Sequence, residues 1–198
     1  MEQVSIKRIL CIGDSNTWGY DPRSYFGSQY PADVRWTGLL EQAGIQVINC
    51  GENGLAIPWE AYFPMTERLI WSRLPVDVIT VMLGGNDLLE GAEADETAER
   101  MKRFLPCVRD AAPDARIILI APPVLKEGTW VQSPGLIGEA SRLPALYREL
   151  AAETEVSFAD ADDWDVELTF DGVHFSPAGH RAFAEGLLRM LNREEGTE

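Results

Sequence analysis

The stretch VDVITVML, residues 76–83, is apolar nearly throughout and runs into Gly84, Gly85, Asn86 and Asp87. A strand with one face in water alternates apolar and polar residues, whereas a strand covered on both faces does not. The stretch therefore reads as a parallel strand with helices on both sides. RIILIA, Arg116–Ala121, reads the same way. Residues 6–12, 45–49 and 156–159 give three more strand candidates.

Amphipathic stretches separate these runs. Asp33 is placed to cap a helix that runs to residue 42. A second helix is predicted over 58–74, with proline near its start. ADETAERMKRFLPCVRDA, residues 94–111, carries Met101, Phe104, Leu105 and Val108 at helical spacing. Pro106 predicts a kink or an early end there. Residues 138–154 and 177–192 complete the set. The order is βαβαβαβαβα, which predicts an α/β doubly wound parallel sheet in one domain spanning 1–198. The segment 122–137 is long for an irregular connection and reads as a functional loop. Residues 191–198 read as a fraying tail.

Composition narrows the partners. The 198 residues carry a formal net charge of −15. Such a surface repels phosphate backbones and anionic lipids, which argues against nucleic acid and against stable membrane association. A small molecule is the expected partner, and a homo-oligomer stays open. Cys11, Cys50 and Cys107 form no C-x-x-C pair and read as free thiols. With no signal-peptide pattern in the first residues, the reading places the chain in the cytoplasm. Two histidines six positions apart and three dispersed cysteines do not give a metal-ligand set, so no metal is expected.

In doubly wound sheets ligands bind beyond the carboxyl ends of the strands. Four strand ends carry chemistry here. The first gives Gly13, Asp14 and Ser15; the second gives NCGENG, residues 49–54. The third gives GGND, residues 84–87. DGVHFSPAGH, residues 171–180, follows the fifth. A serine needs a base to become a nucleophile. His174 lies three residues after Asp171, so one turn can present both side chains. Asp171 can then accept a hydrogen bond from the imidazole Nδ1–H while Nε2 faces Ser15. The Ser15 amide, at a strand-to-helix turn, suits a developing oxyanion. Gly54 can add a second amide and Asn86 a side-chain NH₂. Asp14 and Asp87 read as braces of their turns, and His180 as a structural residue on a helix face. Trp18, Trp59 and Trp130 are candidates for the wall of a substrate pocket.

These blocks, GDSNTWGY, NCGENG, GGND and DGVHFSPAGH, resemble those of the SGNH hydrolase superfamily, also called the GDSL-type esterases and lipases. The resemblance runs from Ile9 to Leu191, and GDSNTWGYDP with DVRWTGLL looks like its arylesterase/acyltransferase branch. Asn16 departs from the leucine of the Gly-Asp-Ser-Leu signature. The resemblance implies a flavodoxin-like three-layer α/β/α sandwich whose five-stranded parallel sheet has the order 2-1-3-4-5. It implies cleavage of carboxylic esters through an acyl-serine, without metal or cofactor. Ser15, His174 and Asp171 would form the triad, and Ser15, Gly54 and Asn86 the oxyanion hole. Short-chain, aryl or acetyl esters are the expected substrates; acyl transfer or thioester cleavage at the same site is the alternative. A non-catalytic receiver-type module is remote from this pattern. It would want an acidic pair after the first strand, an aspartate ending the third and a lysine after the fifth. No lysine follows the fifth strand here.

Overall fold

The computed structural model describes residues 8–24 and 26–195. Five strands form one parallel sheet: β1 (Arg8–Gly13), β2 (Gln46–Gly51), β3 (Val78–Met82), β4 (Arg116–Ala121) and β5 (Ser157–Asp160), in the order β2-β1-β3-β4-β5. The fold is the expected three-layer sandwich with sheet order 2-1-3-4-5. Residues 6 and 7 of the first expected strand lie outside the described residues.

Both faces of the sheet are covered, which is why β3 and β4 are apolar throughout. Along β1, Leu10 and Ile12 point to one core, which also holds Ile79, Val81, Ile117 and Leu119. Helices α3 (Phe63–Trp71), α5 (Ala94–Ala111) and α6 (Pro134–Glu153) close that side with Ile70, Phe104 and Tyr147. Ile9 and Cys11 point the other way, with Val78, Met82, Ile118 and Ile120. Helices α2 (Trp36–Gln42) and α7 (Pro177–Glu195) close this second core with Trp36, Leu40, Phe183 and Leu187. Two short helices, α1 (Ser15–Trp18) and α4 (Gly85–Leu89), begin where β1 and β3 end. Among the described residues no helix is long and apolar enough to cross a membrane.

Several boundaries differ from the sequence reading. Helix α2 starts at Trp36, and Asp33 sits in the turn before it, because the Trp36 N–H finds its acceptor on a distant element, His180 Nδ1, at 3.3 Å. The stretch 58–74 splits into a 3₁₀ turn (Glu60–Tyr62) followed by α3. Pro106 does not end α5. Its ring lies on the exposed side, where the carbonyl it leaves unpaired can meet water, while Phe104, Leu105 and Val108 hold the helix to the core. GGND is the start of a helix rather than a bare turn. The irregular segment ends at Ser133, where α6 begins four residues before the expected start. Helix α7 runs on to Glu195, three residues past the expected end, and residues 196–198 of the expected tail lie outside the described residues.

Candidate active site

Serine 15 is where β1 becomes α1. Asp14 caps that helix, its Oδ1 accepting the Asn16 N–H at 2.9 Å. Gly13 is required by space: a Cβ there would lie 2.0 Å from Thr17 Oγ1. As the first residue of the helix, Ser15 has no preceding turn to take its N–H. Its hydroxyl meets His174 Nε2 at 3.0 Å. On the other side of the ring, Nδ1 meets Asp171 Oδ2 at 2.7 Å. Three side chains from the two ends of the sequence thus form one hydrogen-bonded line, all nearly excluded from solvent.

The segment after β5 is built around Asp171. Its Oδ1 accepts from Val173 N and His174 N, both at 2.9 Å, and from Thr169 Oγ1 at 2.8 Å. Burial alone would raise this carboxyl, but the His174 ring and the two amides outweigh it, and its pKa falls to about 2. Asp171 is therefore an anion throughout the neutral range. Asp14 is the contrast. Burial pushes it up to about 6, against the Asn16 amide and the nearby His174.

The glycine-rich turn after β2 is joined to this end of the sheet. Glu52 donates its N–H to the Gly13 carbonyl at 3.0 Å. Gly54 is left-handed, φ +75°, and exposed. The Asn86 side chain donates to the Leu55 carbonyl at 3.0 Å, which ties α4 to that turn and leaves one hydrogen of its NH₂ for another acceptor. Asp87 is buried and takes Ile57 N at 3.0 Å and Arg100 at 3.0 Å. Burial raises the Asp87 carboxyl, opposed by the Ile57 amide and the Arg100 guanidinium. Asp87 therefore braces the turn as well as its own helix.

The three tryptophans part company. Trp130 packs edge-on against the His174 ring, with centroids 5.0 Å apart. It is carried there because the irregular segment is hydrogen-bonded to the Asp171 segment: Lys126 N to Gly172 O, Thr129 N to Phe170 O and Trp130 N to Asp171 O. Trp59 instead stacks under Arg100 at 4.3 Å and lines an apolar cavity of about 380 Å³ with Leu55, Tyr62 and Met65. None of Ser15, Asp171 and His174 lines that cavity. Trp18 is half-buried at the end of α1, its carbonyl bound by Gln29. Sequence reasoning overlooked Tyr20, which lies against the His174 ring at 4.6 Å, and Thr169. It also read Asn16 only as a departure from the signature. No local pattern marks these residues, because each acts on a segment some 150 positions away or on a side chain two residues on.

Comparison with known proteins agrees with this architecture. Residues 11–182 match the GDSL-like lipase/acylhydrolase family. A GDSL lipase of Mycobacterium tuberculosis is 25% identical over 201 residues, covering 94% of this chain and 82% of that protein. The aryl esterase of M. smegmatis superposes with a TM-score of 0.80 at 28% identity, covering 94% of this chain and 99% of that one. Est24, a carbohydrate acetylesterase from Sinorhizobium meliloti, gives 0.78 at 26% identity, covering 95% and 99%. The chain belongs to the GDSL-like lipase/acylhydrolase family and is a carboxylic ester hydrolase of the SGNH type.

Proposed function

We propose that the chain hydrolyses small carboxylic esters through an acyl-serine formed on Ser15. The observation that carries this reading is the continuous line Asp171–His174–Ser15, at 2.7 and 3.0 Å, ending at a helix N-terminus. The Ser15 oxygen attacks the ester carbonyl and its proton passes to His174 Nε2. Asp171 holds Nδ1–H and stabilises the imidazolium. The carbonyl oxygen takes the negative charge, facing the Ser15 and Gly54 amides and the free Asn86 N–H. Collapse of this intermediate breaks the bond to the leaving alcohol, which takes the proton from Nε2. Water then repeats the sequence, losing its proton to His174 and releasing the acid and Ser15. The Trp130 and Tyr20 rings beside the imidazole suit aryl or short acyl groups. The aryl esterase and acetylesterase relatives support the same substrate class.

The test is hydrolysis of p-nitrophenyl acetate by the parent, Ser15→Ala and His174→Ala. Both variants should lose at least about 10³-fold in kcat/KM. A fluorophosphonate should label the parent and not Ser15→Ala. Parent-like turnover by either variant overturns the reading.

A further inference from the structure

We propose that Asn16 is a positioning residue that sets the distance between Ser15 and His174. The inference rests on the reading of Ser15 and His174 given above and adds the residue that joins them. Asn16 is 6% exposed, and its side-chain amide straddles His174. Its Nδ2 donates to Val173 O at 3.1 Å, and its Oδ1 accepts from Phe175 N at 2.8 Å. These are the residues immediately before and after His174. Its backbone is fixed as firmly, with the N–H on Asp14 Oδ1 at 2.9 Å and the carbonyl on Trp36 Nε1 at 3.0 Å. Because Asn16 follows Ser15 in the chain, the two side-chain bonds make α1 and the 173–175 segment one body.

Among the described residues, the only other hydrogen bond between α1 and this segment is the Ser15–His174 bond. Asp171 and His174 share one segment, so their bonds orient the ring but cannot set its separation from α1. The Ser15–His174 bond itself must lengthen, reform and transfer a proton during reaction. Asparagine is suited to this place because it offers one donor and one acceptor from a planar group. Leucine of similar size offers neither and leaves a buried carbonyl and a buried N–H unpaired. Aspartate keeps the Phe175 bond but turns a second acceptor toward the Val173 carbonyl.

The experiment compares the parent with Asn16→Leu and Asn16→Asp on p-nitrophenyl acetate, with Ser15→Ala and His174→Ala in the same series. Asn16→Leu should lower kcat about 10²-fold, the cost of a misplacement near 1 Å. Its KM should stay near the parent's, since the change alters the approach of Ser15 to His174 and not the surface that binds substrate. Asn16→Asp should fall between Asn16→Leu and the parent. A role confined to folding would lower the melting temperature and leave kcat of the folded fraction unchanged. If Asn16→Leu does not fold, Asn16→Asp decides: parent-like kcat overturns the proposal, and a reduced kcat at unchanged KM supports it. Parent-like kcat in a folded Asn16→Leu overturns it while Ser15→Ala and His174→Ala remain inactive. Activity in those two controls defeats the serine-esterase reading instead.

Discussion

His174 and His180 are six residues apart and both buried, yet the fold gives them different surroundings. His174 has a partner on each nitrogen, a carboxylate on Nδ1 and a hydroxyl on Nε2. His180 accepts the Trp36 N–H on Nδ1, and its Nε2 is buried without a hydrogen-bond partner among the described residues. Tyr30 and Phe175 pack edge-on around it. Burial and the nearby Arg35 push the His180 pKa down to about 3, so this ring is neutral in the folded chain. The comparison shows that burial alone does not make a base. What separates the two rings is a partner: an ionised carboxylate, itself held by two amides and a hydroxyl, faces His174, and among the described residues none is hydrogen-bonded to His180.

The largest expected effect comes from removing that difference with Asp171→Asn. The Oδ1 position receives three donors, so the amide oxygen must occupy it and the NH₂ must face His174 Nδ1. The ring is then forced into the tautomer with its proton on Nε2, pointing at Ser15. It becomes a donor where a base is needed. Activity on p-nitrophenyl acetate should fall about 10⁴-fold while the fold is retained. A loss below tenfold would show that the tautomer is not set by Asp171.

Next is His180→Ala, which should affect stability more than catalysis. It leaves a hole between Tyr30 and Phe175 and removes the acceptor at the N-terminus of α2. A loss of about 2–4 kcal/mol at pH 7 is expected from the lost packing and the unpaired N–H, measured by urea denaturation. The residual activity of the folded variant should far exceed that of Asp171→Asn. If the order is reversed, His180 has a part in the chemistry that its position does not suggest.

The two histidines also mark what could be read from the sequence. The turn from Asp171 to His174 is local, and the sequence reading paired the two residues on spacing. Strand ends likewise announced themselves, because apolar runs such as those around β3 and β4 stop in small polar residues. The Trp36 N–H bond of His180 spans 144 positions, and that bond is what places the start of α2. Asn16 is legible only once Val173 and Phe175 are seen beside it. The short α4 hid inside GGND, since two glycines weigh against a helix until the buried Asp87 and Leu88 are packed. Propensity and periodicity report local preference; these features are set by partners far along the chain.

The smallest effect per step, at about 1.4 kcal/mol for each pH unit, and the one that tests the neutral state of His180 directly, is in the acid dependence of stability. An unfolded chain takes up a proton at this residue as pH falls through 6.5, whereas the folded chain takes it up only near 3. Between these values the unfolded state holds more protons, so acidification destabilises the fold. Asp14 works in the opposite direction. Its folded pKa near 6 exceeds the ordinary 3.8, so between those values the folded state holds the extra proton and acidification favours it. The parent's own curve therefore mixes opposing slopes over much of the range. Subtracting the curve of His180→Ala removes what the two proteins share, Asp14 included. The parent's advantage over the variant should shrink by about 1.4 kcal/mol for each pH unit below 6.5, close and change sign before pH 3, and level off near 3. A gap that stays constant with pH would mean that His180 takes its proton in the folded state at an ordinary pH. The contrast between the two histidines would then rest on their partners' geometry alone.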